Sequence, residues 1–433
     1  MCRTFAAVGC VLLGASLALS AERLPMPAVV QEPVEKLIEQ LGSKDYKARE
    51  AASKALEARG EAALDAMRKA AAVTNNPEVR RRLDVIITNL DRMIILAPKR
   101  ITLKVKDQPM KDVVAEIAKQ SGYRMNLQGA QQQLVTLDFD KATFWQVMDR
   151  ICLEGGLIMY QNEGQPIQLY QQDSFYPHNF YQGPFKVTAN NIHYNKSINL
   201  GPMQRNPQNN TLRSENMQFN FSICSEPKLP IMGVGQAKLL EAIDERGQSM
   251  VPPANQHEVY YGHGGGYRMF NYNTQVQLLW PDKEARYIKS IKGTLPVTLL
   301  ADQKPEIVIE DILKVKKQKF TGPNTEIQID DVKELNKTSV QIKMTVRNLK
   351  GGPNDYTWTN SVHQRIELQD AKGNKWYSHG YNWESSNQSS VSATFTYGTN
   401  GDGNVGPAAK LVYQHWTMIQ HQIEFEFKQL PLP

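Results

Sequence analysis

The chain has 433 residues, 41% of them hydrophobic and 22% charged, with a formal net charge of +6. That length suggests roughly three domains of ordinary size, and the interspersed charge lacks the basic clustering that nucleic-acid binding needs. No nucleic-acid partner is therefore expected.

Arg3 gives a short positive start, Phe5 to Leu19 is apolar without a charge, and Ala18-Leu19-Ser20 places small residues before Ala21. This is the pattern of a secretory signal peptide over residues 1–20, cleaved near Ala21. Cys10 after Gly9 raises lipoprotein cleavage as an alternative, but the apolar run continues past it and Ala7 stands three residues before it. The apolar run is too short to span a bilayer, and nothing later is long and apolar enough to do so. The expected location is exported: periplasm, cell surface or extracellular. Of four cysteines, only Cys152 and Cys224 lie beyond this segment, too few for a disulfide framework. Both read as small buried apolar residues in different domains.

Residues 31–96 read as helices. Val34, Leu37, Ile38 and Leu41 recur at helical spacing, followed by Ala48, Ala51, Ala52, Ala55 and Leu56. A third helix runs from Glu61 through Leu64 and Met67. A fourth has Asn76 as N-cap, Pro77 at its first position, and Val79, Leu83, Ile86, Ile87 and Leu90 as its stripe. The segments Lys44-Asp45-Tyr46-Lys47-Ala48-Arg49-Glu50-Ala51-Ala52 and Pro77-Glu78-Val79-Arg80-Arg81-Arg82-Leu83 resemble HEAT-type repeats, amounting to about two helix pairs.

Residues Ile101 to Leu127 align without a gap onto Val135 to Gln161 at an offset of 34. Identities fall at Thr102/Thr136, Leu103/Leu137, Val113/Val147, Ile117/Ile151, Gly122/Gly156 and Met125/Met159. Each copy reads as strand, helix, glycine stop and strand, so 99–172 is expected to be a small βαββαβ domain with one sheet and both helices on one face. Ile101-Thr102-Leu103-Lys104-Val105 followed by Pro109-Met110-Lys111-Asp112-Val113-Val114 resembles the short N-terminal domain shared by secretins and TonB-dependent receptors. The resemblance implies a periplasmic, protein-binding, non-enzymatic domain. No secretin ring or outer-membrane barrel pattern follows it, so the secretion or signalling role does not carry over.

Beyond residue 183 the apolar period becomes two: Met217, Phe219, Phe221 and Ile223, then Val340, Ile342, Met344 and Val346. Asp244-Glu245-Arg246-Gly247 and Asp370-Ala371-Lys372-Gly373 read as related hairpin turns, 126 residues apart. Leu295, Val297 and Leu299 are expected to close a first half as Ile423, Phe425 and Phe427 close a second. The fold class is thus multidomain α+β: a short α-helical repeat region, the small βαββαβ domain, and two tandem β-sandwich (Ig-like) modules at 183–303 and 306–433.

No catalytic, cofactor-binding or metal-binding pattern stands. His263-Gly264-Gly265-Gly266 lacks the Gly-x-Ser-x-Gly partner of a hydrolase and is better explained as a loop tip. The pairs His257/His263 and His415/His421 are six apart, too far along a straight strand for one zinc ion. Arg80, Arg81 and Arg82 point about 100° apart on a helix and form no single patch. The aromatic segments 256–273 and 353–383 remain as candidate partner-binding loops, with Tyr260, Tyr261, Tyr267, Tyr272, Trp358, Tyr381 and Trp383 as candidate residues. The competing reading is that these rings pin long loops to the sandwiches. The expected function is a non-enzymatic interaction or scaffold protein of the bacterial cell envelope, with a protein partner. The alternatives are an accessory component of an envelope secretion or transport assembly and a hydrolase with an unrecognised site.

Overall fold

The structure, a computed structural model, describes residues 32–162, 164–172, 174–198, 200, 213–253, 266–281, 285–350, 356–399, 401 and 403–433. It is mixed α+β, with about 25% helix and 50% strand. The chain divides into two compact units, one ending at Ile94 and one beginning at Ile95. The predicted signal segment and Cys10 lie outside the described residues.

The first unit is helical. Helices α1 (Val34–Gln40), α2 (Tyr46–Arg59), α3 (Leu64–Val73) and α4 (Pro77–Leu96, the last two residues in the second unit) share a core of Leu37, Leu41, Leu56, Met67, Leu83 and Leu90. Asn76 caps α4 as expected: its Oδ1 accepts from the Glu78 and Val79 amides. The third helix starts later than its pattern predicts, because Gly60–Ala63 forms a tight 3-10 turn first. Of the three arginines, Arg82 turns inward and bridges Glu78 and Glu50 at 2.6 and 2.8 Å.

The second unit opens with the duplicated segment: β1 (Arg100–Pro109), α5 (Met110–Ser121), β2 (Met125–Gln128), β3 (Leu134–Thr143), α6 (Phe144–Gly155), β4 (Leu157–Tyr160) and β5 (Ile167–Gln171). The offset of 34 is written into the backbone. Asp107 and Lys141, one offset apart, both adopt positive φ, and each donates its amide to the other repeat's threonine, Thr136 and Thr102, at 3.1 Å. The Met110 amide bonds the Gln133 carbonyl as the Phe144 amide bonds that of Lys99. Gly122 and Gly156 end the two helices in the left-handed conformation.

The expectation of one sheet is corrected. Among the described residues β1 pairs only with β3, antiparallel, while β2, β5 and β4 form a second sheet in that order, with β2 parallel to β5. The opening strands of the two repeats pair with each other, and β5, a strand beyond the second repeat, joins their closing strands. It inserts between the closing strands of the two repeats, so they never pair, and the domain is βαββαββ. Both helices still bury Val113, Ile117, Met148 and Ile151 in one core.

The remaining described strands form three sheets. β6 (Asn179–Gln182), β7 (Phe185–Ile198), β8 (Arg213–Ser225) and β11 (Asn271–Leu278) form the first, in the order β11-β8-β7-β6. β9 (Ile231–Val234), β10 (Lys238–Asp244), β12 (Tyr287–Ile309), β16 (Ile366–Asp370) and β19 (Ala408–Pro431) form the central one, β10-β12-β19-β16 with β9 also on β12. β13 (Gln318–Thr321), β14 (Thr325–Asn336), β15 (Ser339–Asn348), β17 (Tyr377–Asn387) and β18 (Ser390–Gly398) form the third, β13-β14-β15-β18-β17. Helix α7 (Tyr356–Arg365) precedes β16.

The expected tandem boundary near 303–306 falls inside β12, an unbroken strand of 23 residues. β12 pairs with β19 from Tyr287↔Pro431 to Ile309↔Leu411. β12 begins in a core with Ile291, Leu295 and Leu299 and ends in another with Ile307 and Ile309. β19 runs the opposite way, from Leu411 and Tyr413 in the second core to Ile423, Phe425 and Phe427 in the first. The residues expected to close the second half therefore fill the first, with Phe425 4.8 Å from Phe221 and Phe427 5.5 Å from Phe219. Alternation of period two assigns a residue to a face of its strand and says nothing of which sheet lies opposite.

The 126-residue echo is real at the turns. Asp244 and Asp370 each accept, on Oδ1, amide bonds from residues two and four further on, and Gly247 and Gly373 take φ of 85° and 88°. The bonds Met250 N to Ala242 O and Trp376 N to Leu368 O repeat at the same offset, both at 2.8 Å.

Candidate functional site

Parts of the two aromatic segments come together. Tyr267 follows Gly266, whose amide bonds the Met232 carbonyl. Its ring lies 5.4 Å from His363 on α7, His363 lies 4.6 Å from Tyr381 on β17, and Tyr381 lies edge-on to Trp383 at 5.1 Å. Tyr381 also leans on Phe395 of the second core, 6.0 Å away. The ends of this chain of rings face solvent: Tyr267 is 44% and Trp383 39% exposed. Burial pushes the Tyr267 hydroxyl up, helped by its hydrogen bond with Tyr381, and burial pulls the His363 imidazole below its ordinary value. A neutral histidine between tyrosines gives the patch no charge of its own near neutral pH.

Two candidates belong elsewhere. Trp358 is 5% exposed and donates from Nε1 to the Tyr413 hydroxyl at 3.0 Å, so it staples α7 to the second core. Tyr272 on β11 is half-buried against the first core. Tyr260 and Tyr261 lie outside the described residues, as do His257 and His263. Residues 356–383 are not a loop, as expected from composition; they hold α7, β16, a tight turn and the start of β17.

A second feature is a groove of about 940 Å³ between the duplicated domain and the outer face of the sheet β11-β8-β7-β6. At its base Asp149 of α6 accepts from the Tyr181 hydroxyl at 2.6 Å and pairs with Lys186 at 2.7 Å. The ammonium lies 5.3 Å from the centre of the Trp145 ring. Burial pulls Lys186 down, but Asp149 and the neighbouring thiols together hold it above the ordinary lysine range. Burial raises the Cys152 thiol to about 12 and Cys224 to about 11. Both are thus protonated and poor nucleophiles near neutral pH. The two cysteines face this one groove, where sequence spacing had put them in separate domains.

Beside it, the buried Glu226 accepts from the Lys99 amide at 3.0 and 3.2 Å and from the Tyr123 hydroxyl at 2.7 Å. Burial pushes this carboxyl up despite those bonds. Asp149 and Glu226 together tie the duplicated domain to the β11-β8-β7-β6 sheet.

No family model matches the chain, and no curated protein matches it. Among solved structures, the crystal structure of a conserved domain protein from Bacillus anthracis is 10% identical, over 57% of this chain and 88% of that one, with a TM-score of 0.15. An atomic model of the Salmonella SPI-1 type III secretion injectisome basal body proteins InvG, PrgH and PrgK is 11% identical, over 74% and 92%, with a TM-score of 0.15. Likenesses this slight carry no argument.

The remaining histidine pair does not converge. His415 lies 3.4 Å from Glu306, whereas His421 stacks on Phe185 at 5.5 Å. Among the described residues no group of three or more His, Cys, Asp or Glu side chains is placed to hold a metal ion. No helix among them is long and apolar enough to cross a membrane. The groove was missed in the sequence, although the signal was present. If Met217, Phe219, Phe221 and Ile223 face the core, then Gln218, Asn220, Ser222 and Cys224 form the opposite face of β8.

Proposed function

We propose that the chain is a non-enzymatic interaction protein of the bacterial cell envelope that binds a protein partner through the rings of Tyr267, Tyr381 and Trp383. In this reading the N-terminal segment is a cleaved export signal, the helical unit is HEAT-like, 99–172 is related to the secretin/TonB short N-terminal domain, and the two β modules are Ig-like. The observation that supports a binding role is the exposure of Tyr267 and Trp383 at the two ends of one continuous ring stack. Exposed rings backed by a packed core offer large contact area at small entropic cost, and such anchors carry roughly 2 kcal/mol or more each in protein interfaces.

Cross-linking in intact cells followed by capture of the wild-type chain and of Tyr267→Ala and Trp383→Ala variants tests it. The expected result is loss of one dominant cross-linked partner at unchanged thermal stability. Recovery of the same partners at wild-type yield by both variants overturns the reading. N-terminal sequencing of the native protein should begin near Ala21; a chain starting at a lipid-modified Cys10 would place it on a membrane instead.

The alternative, an accessory component of an envelope assembly docked through 99–172, rests on β2 and β4, the two edges of the small three-stranded sheet. Edge strands accept a partner's strand by main-chain pairing.

A further inference from the structure

We propose that the groove above the β11-β8-β7-β6 sheet is a binding site for a neutral oligosaccharide. The proposal uses residues separate from the ring stack and stands independently of the protein-binding reading. The floor is ordered by strand register. Asn273, Ser222, Thr188 and Asn179 sit side by side across four strands, and one step along lie Asn271, Cys224, Lys186 and Tyr181. All eight line the groove, on the face opposite the packed Phe221, Ile223 and Val187. A sheet face that alternation leaves polar is ordinarily open to water; here α6 and β4 form a wall over it.

Among the described residues, each cation lining the groove already has a partner. Lys186 is held by Asp149, Arg150 by Glu154 at 2.5 Å, and Arg268 reaches Gln303 at 2.5 Å while stacking on Trp416. An anionic ligand would have to compete with Asp149 for Lys186 and with Glu154 for Arg150, while Arg268 is held against Gln303 and Trp416. The floor is a sheet face whose main-chain groups are used in the ladder, so a peptide could pair only along the β4 edge in the wall and would leave the polar floor unread. What the groove does offer is amides and hydroxyls. A side-chain amide carries donor and acceptor in one plane, matching sugar hydroxyls, which both give and accept hydrogen bonds. The Gln161 amide in the wall has both polar atoms enclosed and neither has a hydrogen-bond partner among the described residues. A buried amide left unpaired is unfavourable, and a hydroxyl-bearing ligand would satisfy it. At the rim, Phe175 is 65% and Tyr176 60% exposed, giving flat apolar surfaces for the C–H face of a pyranose ring. The volume falls within the roughly 300–1,000 Å³ of known ligand sites.

The test is calorimetric titration of the full exported chain with cellohexaose, maltohexaose and chitohexaose, and with a heparin-derived hexasaccharide as the anionic comparison. Saturable binding of at least one neutral hexasaccharide is expected. The double variant Asn271→Ala/Asn273→Ala, at two exposed positions, should bind roughly tenfold or more weakly, and Trp383→Ala should bind as wild type. Gln161→Leu should also lose affinity without a drop in melting temperature, since it removes an amide that has no partner among the described residues. The proposal is overturned if no neutral hexasaccharide binds at millimolar concentration, if only the heparin fragment binds, or if both groove variants retain wild-type affinity.

Discussion

Two buried carboxyls make opposite demands on pH. Glu226 has its carboxyl raised by burial above the 4.5 it would have when unfolded. The folded state therefore holds its proton more tightly, and the contribution of this group to stability falls as pH rises from 4.5 through the raised value. A Glu226→Gln variant lacks that titration. Calorimetric melts should show wild type gaining on the variant as pH is lowered from 7 to 4; a difference independent of pH would mean that the site is solvated. Asp370 is the reverse case. The Gly406 amide, then the Asn374 side chain and amide and the Lys372 amide, hold its carboxyl down at about 2, against 3.8 unfolded. Its contribution is present above 3.8 and lost as pH falls through 2. Asp370→Asn should thus be less stable than wild type at neutral pH, with the gap closing between pH 4 and 2. The related Asp244 lacks this full set: its Oδ2 has no partner among the described residues, whereas that of Asp370 accepts from the Asn374 side chain, where the first turn has Gln248, and from the Gly406 amide.

At the level of elements, the duplicated domain was the most readable part of the chain. Local signals sufficed: helical stripes, a glycine stop on each helix, and identities recurring at 34 residues. The bulges at Asp107 and Lys141 preserve that symmetry in the backbone. What local pattern could not supply was β5, because a short strand carries no mark of the neighbour it will choose. β5 lies between β2 and β4 in a sheet separate from β1-β3. The helix stripes are tested by Ile117→Asp, which places a charge at a fully buried position shared by both repeats. An unpaired buried charge costs several kcal/mol or more. Chemical denaturation should show the domain unfolded or severely weakened, while Ala115→Asp, at an exposed position of the same helix, should melt as wild type. The aromatic segments were readable by composition only in part. Trp358 and Trp383 look alike in the sequence, yet Trp358 sits inside α7 against Tyr413 and Trp383 lies on an edge strand. Side-chain identity did not separate them; the element each occupies did.

At the scale of the whole molecule, the two β modules are not consecutive beads. The central sheet runs β10-β12-β19-β16, and its two long strands each leave one core and end in the other. β19 thus completes the core to which β7, more than two hundred residues earlier, gives Phe185 and Val187. Contacts this distant in sequence are slow to form, since closing a long loop costs entropy before any burial offsets it. The first module is therefore expected to lose stability when the C-terminal strand is altered. Phe425→Ala, which empties a site packed on Phe221, should cost about 3–5 kcal/mol and expose 185–299 to protease although the substitution lies beyond residue 400. Deleting 417–433 should go further, leaving the β7–β8 sheet without the opposing side chains of Ile423, Phe425, Phe427 and Leu430. Limited proteolysis with mass spectrometry of the fragments checks both. Independent tandem modules would lose the 306–433 region and keep 185–299 protected. Crossed strands predict cleavage first within 185–299, the half that the deletion does not touch.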